Sequence, residues 1–349
     1  ATGEEEKATI PMTKDVAESY QYVIEDLEAA IPAMPTQAQP GEPTKYAAEV
    51  LLSRACLTAY AYTKNSSYID KAITYAKDVT ENCSLSDNYG GLFNETDENN
   101  AEILWGYYRL KANTKIGNYE ELIRTYPNIS QDDCINSLSP NLFKNPNGRT
   151  FEGWAIYFPT QDLVDQYLVT DEKTGKALPW YETSQYKENV ESLDPNSVTE
   201  AGQIDAYNQK NGNARRMPTP QDFSQLNAAY PTNLRYDKLK AGSSRNLSEL
   251  MYSGRDARFA TSIAYDGTTW IGELVETNLG GNSSMGVRDK EDGGWYNTTT
   301  GYYWRKSNIE NPEPRAYFDC QVQLHYDMCR TGEAYMNLAE AYLLKKDVA

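Results

Sequence analysis

The sequence predicts a mainly α fold, with helix pairs at both ends of the chain and a long irregular region between them carrying short β-strands and hairpins. Three observations predict it. Apolar residues recur at steps of three and four over 13–82 and again over 331–346. Proline, glycine and asparagine crowd the stretch between. Short β-prone runs in that stretch are bounded by turn residues. The 349 residues are 40% hydrophobic and 24% charged, a soluble composition with enough chain to bury a core.

Taken in order, a first helix begins near Thr13, a good N-cap, with Asp15 in the first turn where the helix dipole favours it. Val16, Tyr20, Val23, Leu27 and Ala30 form its apolar stripe, and Pro32 and Pro35 stop it. A second helix runs from about Thr44 to Tyr62, striped by Ala48, Leu51, Leu52, Ala55, Ala59 and Tyr62. Asn65-Ser66-Ser67 makes the turn into a third, Ser67–Asn82, with Ile69, Ala72, Tyr75, Ala76 and Val79 on one face. Alanines facing tyrosine and leucine suit a tight antiparallel pair. This pair resembles one tetratricopeptide unit of about 34 residues, although that repeat's usual Trp and Gly positions are not clear in it.

Regular pattern weakens after Cys83. Asp87–Asn100 reads as a polar loop and Glu102–Arg109 as a short strand. Residues 110–150 read as surface wrapping. Thr160 caps a helix containing Leu163, Val164, Tyr167 and Leu168, and 171–220 reads as irregular. Asp266-Gly267 supplies the positive φ angles of a two-residue hairpin within Ala260–Trp270. A glycine-rich segment spans 278–301. Strands are predicted at Tyr302–Arg305 and Ala316–Tyr326, and a last helix starts near Thr331, with Tyr335, Leu338, Ala339 and Tyr342 on one face. That helix has no evident partner. The chain opens on Ala1 and stops in a helical pattern, so a piece of a longer protein is expected, with 1–349 forming a single domain fragment: a helical scaffold over 13–82 and 331–346, and a loop-rich binding region over 83–330.

Several function classes are disfavoured. A net charge of −17 repels nucleic acid and anionic lipid. One histidine, His325, lies in a strand-like run and is expected to be structural; its isolation leaves little for metal sites or charge relays. Five cysteines, Cys56, Cys83, Cys134, Cys320 and Cys329, form no CxxC pair, and Cys56 among apolar helix positions reads as buried. The carboxylates Glu95, Asp97, Glu98 and Glu102 lack calcium-loop spacing and read as a solvated charge run. No run of about 18 apolar residues exists to span a membrane. No cofactor is expected.

Five segments, in order, resemble the SusD/RagB family of surface lipoproteins that bind nutrients beside a TonB-dependent transporter. They are Thr44–Ala55 with Tyr68–Ile73, Phe158–Tyr167, Gly254–Phe259 ending in Tyr265-Asp266-Gly267, Gly301–Lys306, and Arg330 with Glu333–Ala341. Ala257 stands where that family's Arg-Asp-Pro-Arg-Phe run has proline, and Asp171–Gly175 expands a usual Asp-Gly. The family's N-terminal lipid-bearing cysteine, first helical repeats and C-terminal portion have no counterpart here. The resemblance implies a tetratricopeptide-like scaffold, display on the outer membrane through a lipid anchor, a SusC-like TonB-dependent transporter as partner, and an oligosaccharide ligand, or a peptide in some members. It also places Arg255, Arg258 and Arg330 at framework positions, where salt bridges are expected.

A pyranose presents an apolar CH face and a ring of hydroxyls, which flat aromatics and planar polar groups meet. The richest local match is Arg288–Tyr303, with Arg288, Asp292, Trp295, Tyr296 and Asn297 as candidate ligand-binding residues and Gly293-Gly294 leaving the backbone free to turn just before Trp295. The alternative reading is that Trp295 folds back to cover the core beneath the loop. Trp180, beside Pro179, is a second-rank candidate. Trp270 is open to either role, and Trp105 and Trp154 read as core. A glycoside hydrolase would need two carboxylates at a set separation; 50 acidic residues supply pairs, but no catalytic signature accompanies them. A helical adaptor for protein partners is the third reading, against which the Trp-bearing glycine loop argues.

Overall fold

The structure, a computed structural model, describes residues 15–109, 124–130, 149–152, 155–192, 237–270, 273–277, 298–310 and 324–346. The fold is mainly α, and the chain divides into two compact units, Ala1–Asn113 with Gln323–Ala349, and Thr114–Val322. Residues 83–109 thus belong with the helices and not with the loop-rich region.

In the first unit, helix α1 covers Val16–Ala30. Its N-cap is Asp15, not Thr13: the Asp15 carboxylate accepts the Glu18 N–H at 2.9 Å. The face turned to the core is Tyr20, Ile24, Leu27 and Ile31, at steps of four, three and four, while Val16 and Val23 of the expected stripe are exposed. Helix α2, Lys45–Thr63, is capped by Thr44, whose hydroxyl accepts the Ala47 N–H and donates to the Leu104 carbonyl, both at 3.1 Å. It is buried around most of its circumference because α1, the next helix and the C-terminal helix all pack on it. Tyr62, past the last contact, is 66% exposed. Helix α3, Ser67–Asn82, buries Ile69, Ala72, Ala76 and Val79, the expected face. Cys56 is fully buried in this core, and burial pushes its thiol up to about 12.

The C-terminal helix, Thr331–Lys345, is not unpartnered: it packs on α3 and α2. Its buried face is Ala334, Asn337 and Ala341, whereas Tyr335 of the expected face is exposed. Small side chains let it approach closely, and Ala341 shares a core with Ala72. Asn337 donates to the Ser53 hydroxyl of α2 at 2.8 Å, which satisfies a buried polar pair. The helix follows the strand His325–Arg330, which pairs antiparallel with Ile103–Tyr108, Tyr107 facing Tyr326. His325 is structural, as expected: its Nε2 meets the Leu92 carbonyl at 2.9 Å and its ring stacks on Tyr108.

The carboxylate run ending at Glu102 is not wholly solvated. Glu102 is buried; it accepts the Ser86 N–H at 2.8 Å, the Arg330 guanidinium at 2.9 Å and the Gly332 N–H at 3.2 Å. These bonds tie the strand entrance to the start of the C-terminal helix, where an anion is favoured.

The second unit is built on small antiparallel pairs: Asn128–Ser130 with Arg149–Glu152, Val169–Thr170 with Ala177–Leu178, Val190–Ser192 with Asp237–Leu239, Ile263–Ala264 with Tyr303–Trp304, and Thr268–Trp270 with Glu273–Val275. Thr160 caps the helix Gln161–Asp165 by accepting the Leu163 N–H, as expected. Residues 171–192, expected to be irregular, are ordered. The expanded Asp171–Gly175 segment is a hairpin loop in which Asp171 accepts the backbone and hydroxyl of Thr174 and the Ser184 N–H; those bonds hold its carboxyl well below the usual range. A helix, Ser184–Asn189, follows.

The Asp-Gly turn exists, with Gly267 at φ 84° and the Thr268 N–H bonded to the Tyr265 carbonyl at 2.9 Å. It does not close a hairpin. Ile263–Ala264 pairs with Tyr303–Trp304, and Thr268–Trp270 pairs with the strand after it, so the turn passes the chain from one sheet to another.

Candidate functional site

The base of the candidate loop is an aromatic core in the second unit. Val164, Phe259, Ile263 and Tyr302 are buried together, with Tyr167, Tyr252, Tyr265 and Trp304 packed against them. The rings interlock: Tyr252 and Tyr265 lie 4.6 Å apart, and Phe259 stacks on Tyr265 at 4.7 Å. Tyr302 donates its hydroxyl to Gln161 at 2.9 Å. Of the tyrosines expected to alternate along this strand, both Tyr302 and Tyr303 are buried.

Arg255 lies beneath this core. Its guanidinium stands 4.8 Å from the Phe259 ring and donates to the carbonyls of Met251, Val164 and Tyr167 at 2.6–2.7 Å. The expected salt bridge is present but long, to Asp165 at 4.0 Å, and the guanidinium's close bonds are the clamp on three carbonyls. Burial lowers its pKa from the usual arginine value. Arg258 does pair with Asp256, at 2.7 Å, and Arg330 with Glu102.

The segment carrying Arg288, Asp292, Trp295, Tyr296 and Asn297 lies outside the described residues. Its two attachment points are described. On one side the Thr277 N–H donates to Asp266 at 2.9 Å, and Ser248 donates to the other Asp266 oxygen at 3.3 Å. On the other, Thr298 is buried; its N–H donates to the Tyr303 hydroxyl at 3.0 Å, and its own hydroxyl accepts the N–H groups of Thr300, Gly301 and Tyr302 at 3.1–3.2 Å. Gly301 takes a left-handed conformation at φ 85°, and a Cβ there would stand at an ordinary contact distance, 4.0 Å, from the Thr277 hydroxyl.

The tryptophans divide. Trp270 is 1% exposed, donates to the Ile309 carbonyl at 3.0 Å and meets the Tyr126 ring edge-on at 5.1 Å. Trp105 is half-buried against the first unit's core and donates to the Gly41 carbonyl. Trp154 lies outside the described residues. Trp180, the second-rank ligand candidate, is 6% exposed, donates to Asp165 at 2.8 Å, and is met edge-on by Tyr181 and Tyr186. Its ring and N–H are thus occupied by packing, so the site is corrected to a structural one: Pro179 starts a tight turn that carries the indole inward. Tyr157, which precedes the Phe158-Pro159-Thr160 capping segment, is 52% exposed.

Among the described residues no group of His, Cys, Asp and Glu is placed to hold a metal ion, and no helix is long and apolar enough to cross a membrane.

Comparison with known proteins adds the following. The SusD family model matches residues 101–347. A SusD-like protein of Bacteroides ovatus is 26% identical over 158 residues, covering 44% of this chain and 26% of that protein. The crystal structure of a SusD-like carbohydrate binding protein from Bacteroides fragilis shares 18% identity with a TM-score of 0.57, over 99% of this chain and 49% of that one. A second SusD-like protein of that organism also shares 18% identity, with a TM-score of 0.54, over 97% of this chain and 53% of that one. The chain thus spans about a quarter of the curated relative and about half of each solved structure.

Proposed function

This chain belongs to the SusD family, and from that premise we propose that it binds a glycan without altering it, through the loop rooted at Thr277 and Thr298. The ligand contacts in this reading are Trp295 and Tyr296, which cover sugar CH faces, and Asn297, Asp292 and Arg288, which meet hydroxyls. The observation that carries the reading is that Thr277 and Thr298, which flank this segment, are each held by hydrogen bonds, to Asp266 and Tyr303. The sequence between them has the aromatic and polar composition that sugar binding asks for.

The same premise supports a setting. The protein is displayed on the outer membrane through a lipid anchor and passes its cargo to a SusC-like TonB-dependent transporter. Its charge of −17 suits a neutral ligand and disfavours nucleic acid. A sugar platform needs shape and hydroxyl partners, not a reactive group, and this distinguishes it from a hydrolase.

The test is a calorimetric screen of the chain against neutral oligosaccharides, acidic oligosaccharides and peptides, with each mixture analysed afterwards for cleavage. Binding of a neutral oligosaccharide recovered intact supports the reading. Binding of peptides alone, or release of shortened sugars, overturns it. Co-purification with a TonB-dependent transporter from outer membranes tests the setting separately.

A further inference from the structure

The joint between α2 and α3 holds two carboxylates and one ammonium. Glu49, in α2, has a side chain that is 3% exposed. One of its oxygens is 3.3 Å from Lys45 Nζ; the other, Oε2, is buried with no hydrogen-bond partner. Lys45 is committed more closely to Asp78 of α3, at 2.7 Å, and the second Asp78 oxygen accepts from Asn82 at 3.0 Å. A buried carboxylate with an unpartnered oxygen is strongly disfavoured as an anion and far less so as a neutral acid.

Among the described residues, the other cations of the surrounding elements are paired elsewhere. From α1, Glu28 pairs with Lys71 of α3. From the C-terminal helix, Glu333 pairs with Arg54 of α2. From the strand before it, Arg330 pairs with Glu102 and Asp327. At the end of α3 the Cys83 thiol lies near Glu49; burial raises its pKa, so it stays neutral. Among the described residues Lys45 is thus the cation that serves both carboxylates.

We propose that Glu49 is a proton-linked latch between α2 and α3: as a neutral acid it leaves Lys45 to Asp78 and places no charge at the buried joint, and on ionisation it sets a second carboxylate charge there with one lysine to serve both. Burial, and after it Asp78, pushes Glu49 from its ordinary 4.5 up to about 7. The hydrogen bond from Lys45 holds Asp78 below the usual carboxylate range, so Asp78 is the carboxylate that stays ionised. The direction of the pH effect follows. Between 4.5 and about 7 the folded chain binds a proton that the unfolded chain has released, so stability falls as pH rises through that window and stays lower above it.

The experiment uses the whole chain. Carbon-13 NMR of the Glu49 carboxyl, assigned by its loss in Glu49→Gln, is expected to titrate near neutrality, with a midpoint well above that of the exposed glutamates. Melting midpoints are then compared from about pH 5.5 to about pH 8.5. Wild type is expected to lose several degrees more than Glu49→Gln, whose amide is neutral at every pH. A Glu49 midpoint in the ordinary glutamate range, or a variant that keeps the wild-type slope, overturns the proposal. If Glu49→Gln fails to fold, Asp78→Asn serves as the second variant and is expected to lower the Glu49 midpoint.

Discussion

The Glu102 carboxylate accepts the Gly332 N–H at 3.2 Å, joining positions 230 residues apart at the first turn of the C-terminal helix. A Cβ at Gly332 would stand 2.7 Å from that oxygen and 2.4 Å from Arg330 Nη1, so only glycine fits without displacing the pair. Gly332→Ala is expected to cost about 1–3 kcal/mol through crowding. Glu102→Ala, which strands two backbone donors and Arg330, is expected to cost about 3 kcal/mol or more. Urea unfolding measures both. Losses under about 0.5 kcal/mol would mean that the helix is held by its apolar face alone.

Arg255 closes three carbonyls with one side chain. Arg255→Met keeps the stem and leaves the Met251, Val164 and Tyr167 carbonyls unpaired, for an expected cost of about 2–4 kcal/mol. Arg255→Lys is expected to recover only part of it, because an ammonium lacks the planar fork. Equal stability of the lysine variant and wild type would show charge, not geometry, to be what the site needs.

Trp180 is a structural residue in this account. Trp180→Phe removes the bond to Asp165 and keeps most of the bulk, with an expected cost of about 1–2 kcal/mol. The folded variant is expected to bind glycan as wild type does. A tenfold loss of affinity at unchanged stability would return Trp180 to the binding site.

The Cys56 and Cys329 thiols are both pushed up to about 12 by burial. Near pH 8 each is a thiolate in roughly one molecule in ten thousand. Iodoacetamide is expected to leave both intact in the native chain and to modify both in urea, as read by mass spectrometry. Rapid native alkylation would show that the helical core opens far more readily than its packing implies.

What the sequence disclosed follows the range of the interactions. Thr44, Thr160 and the alanine face of α3 act within a few residues, and their caps and buried faces stand where periodicity put them. The partners of the C-terminal helix are α2 and α3, far away in the chain, and no local pattern encodes that contact. Asp266-Gly267 illustrates the same limit: turn chemistry is local and was legible, but which strand pairs with which is decided by distant Tyr303 and Trp304. Of the proposed site, the aromatic and polar composition of 278–297 was visible. Its flanks were not, because Thr298 and Thr277 read as ordinary loop residues and nothing local marks their bonds to Tyr303 and Asp266.

The central claim is tested most directly by calorimetric titration of wild type and Trp295→Ala with an oligosaccharide that wild type binds, alongside their melting temperatures. The account predicts at least a tenfold loss of affinity, about 1.4 kcal/mol, at a melting temperature within a degree or two of wild type. Unchanged affinity, or a melting temperature lowered by many degrees, would contradict it and place the indole in the core.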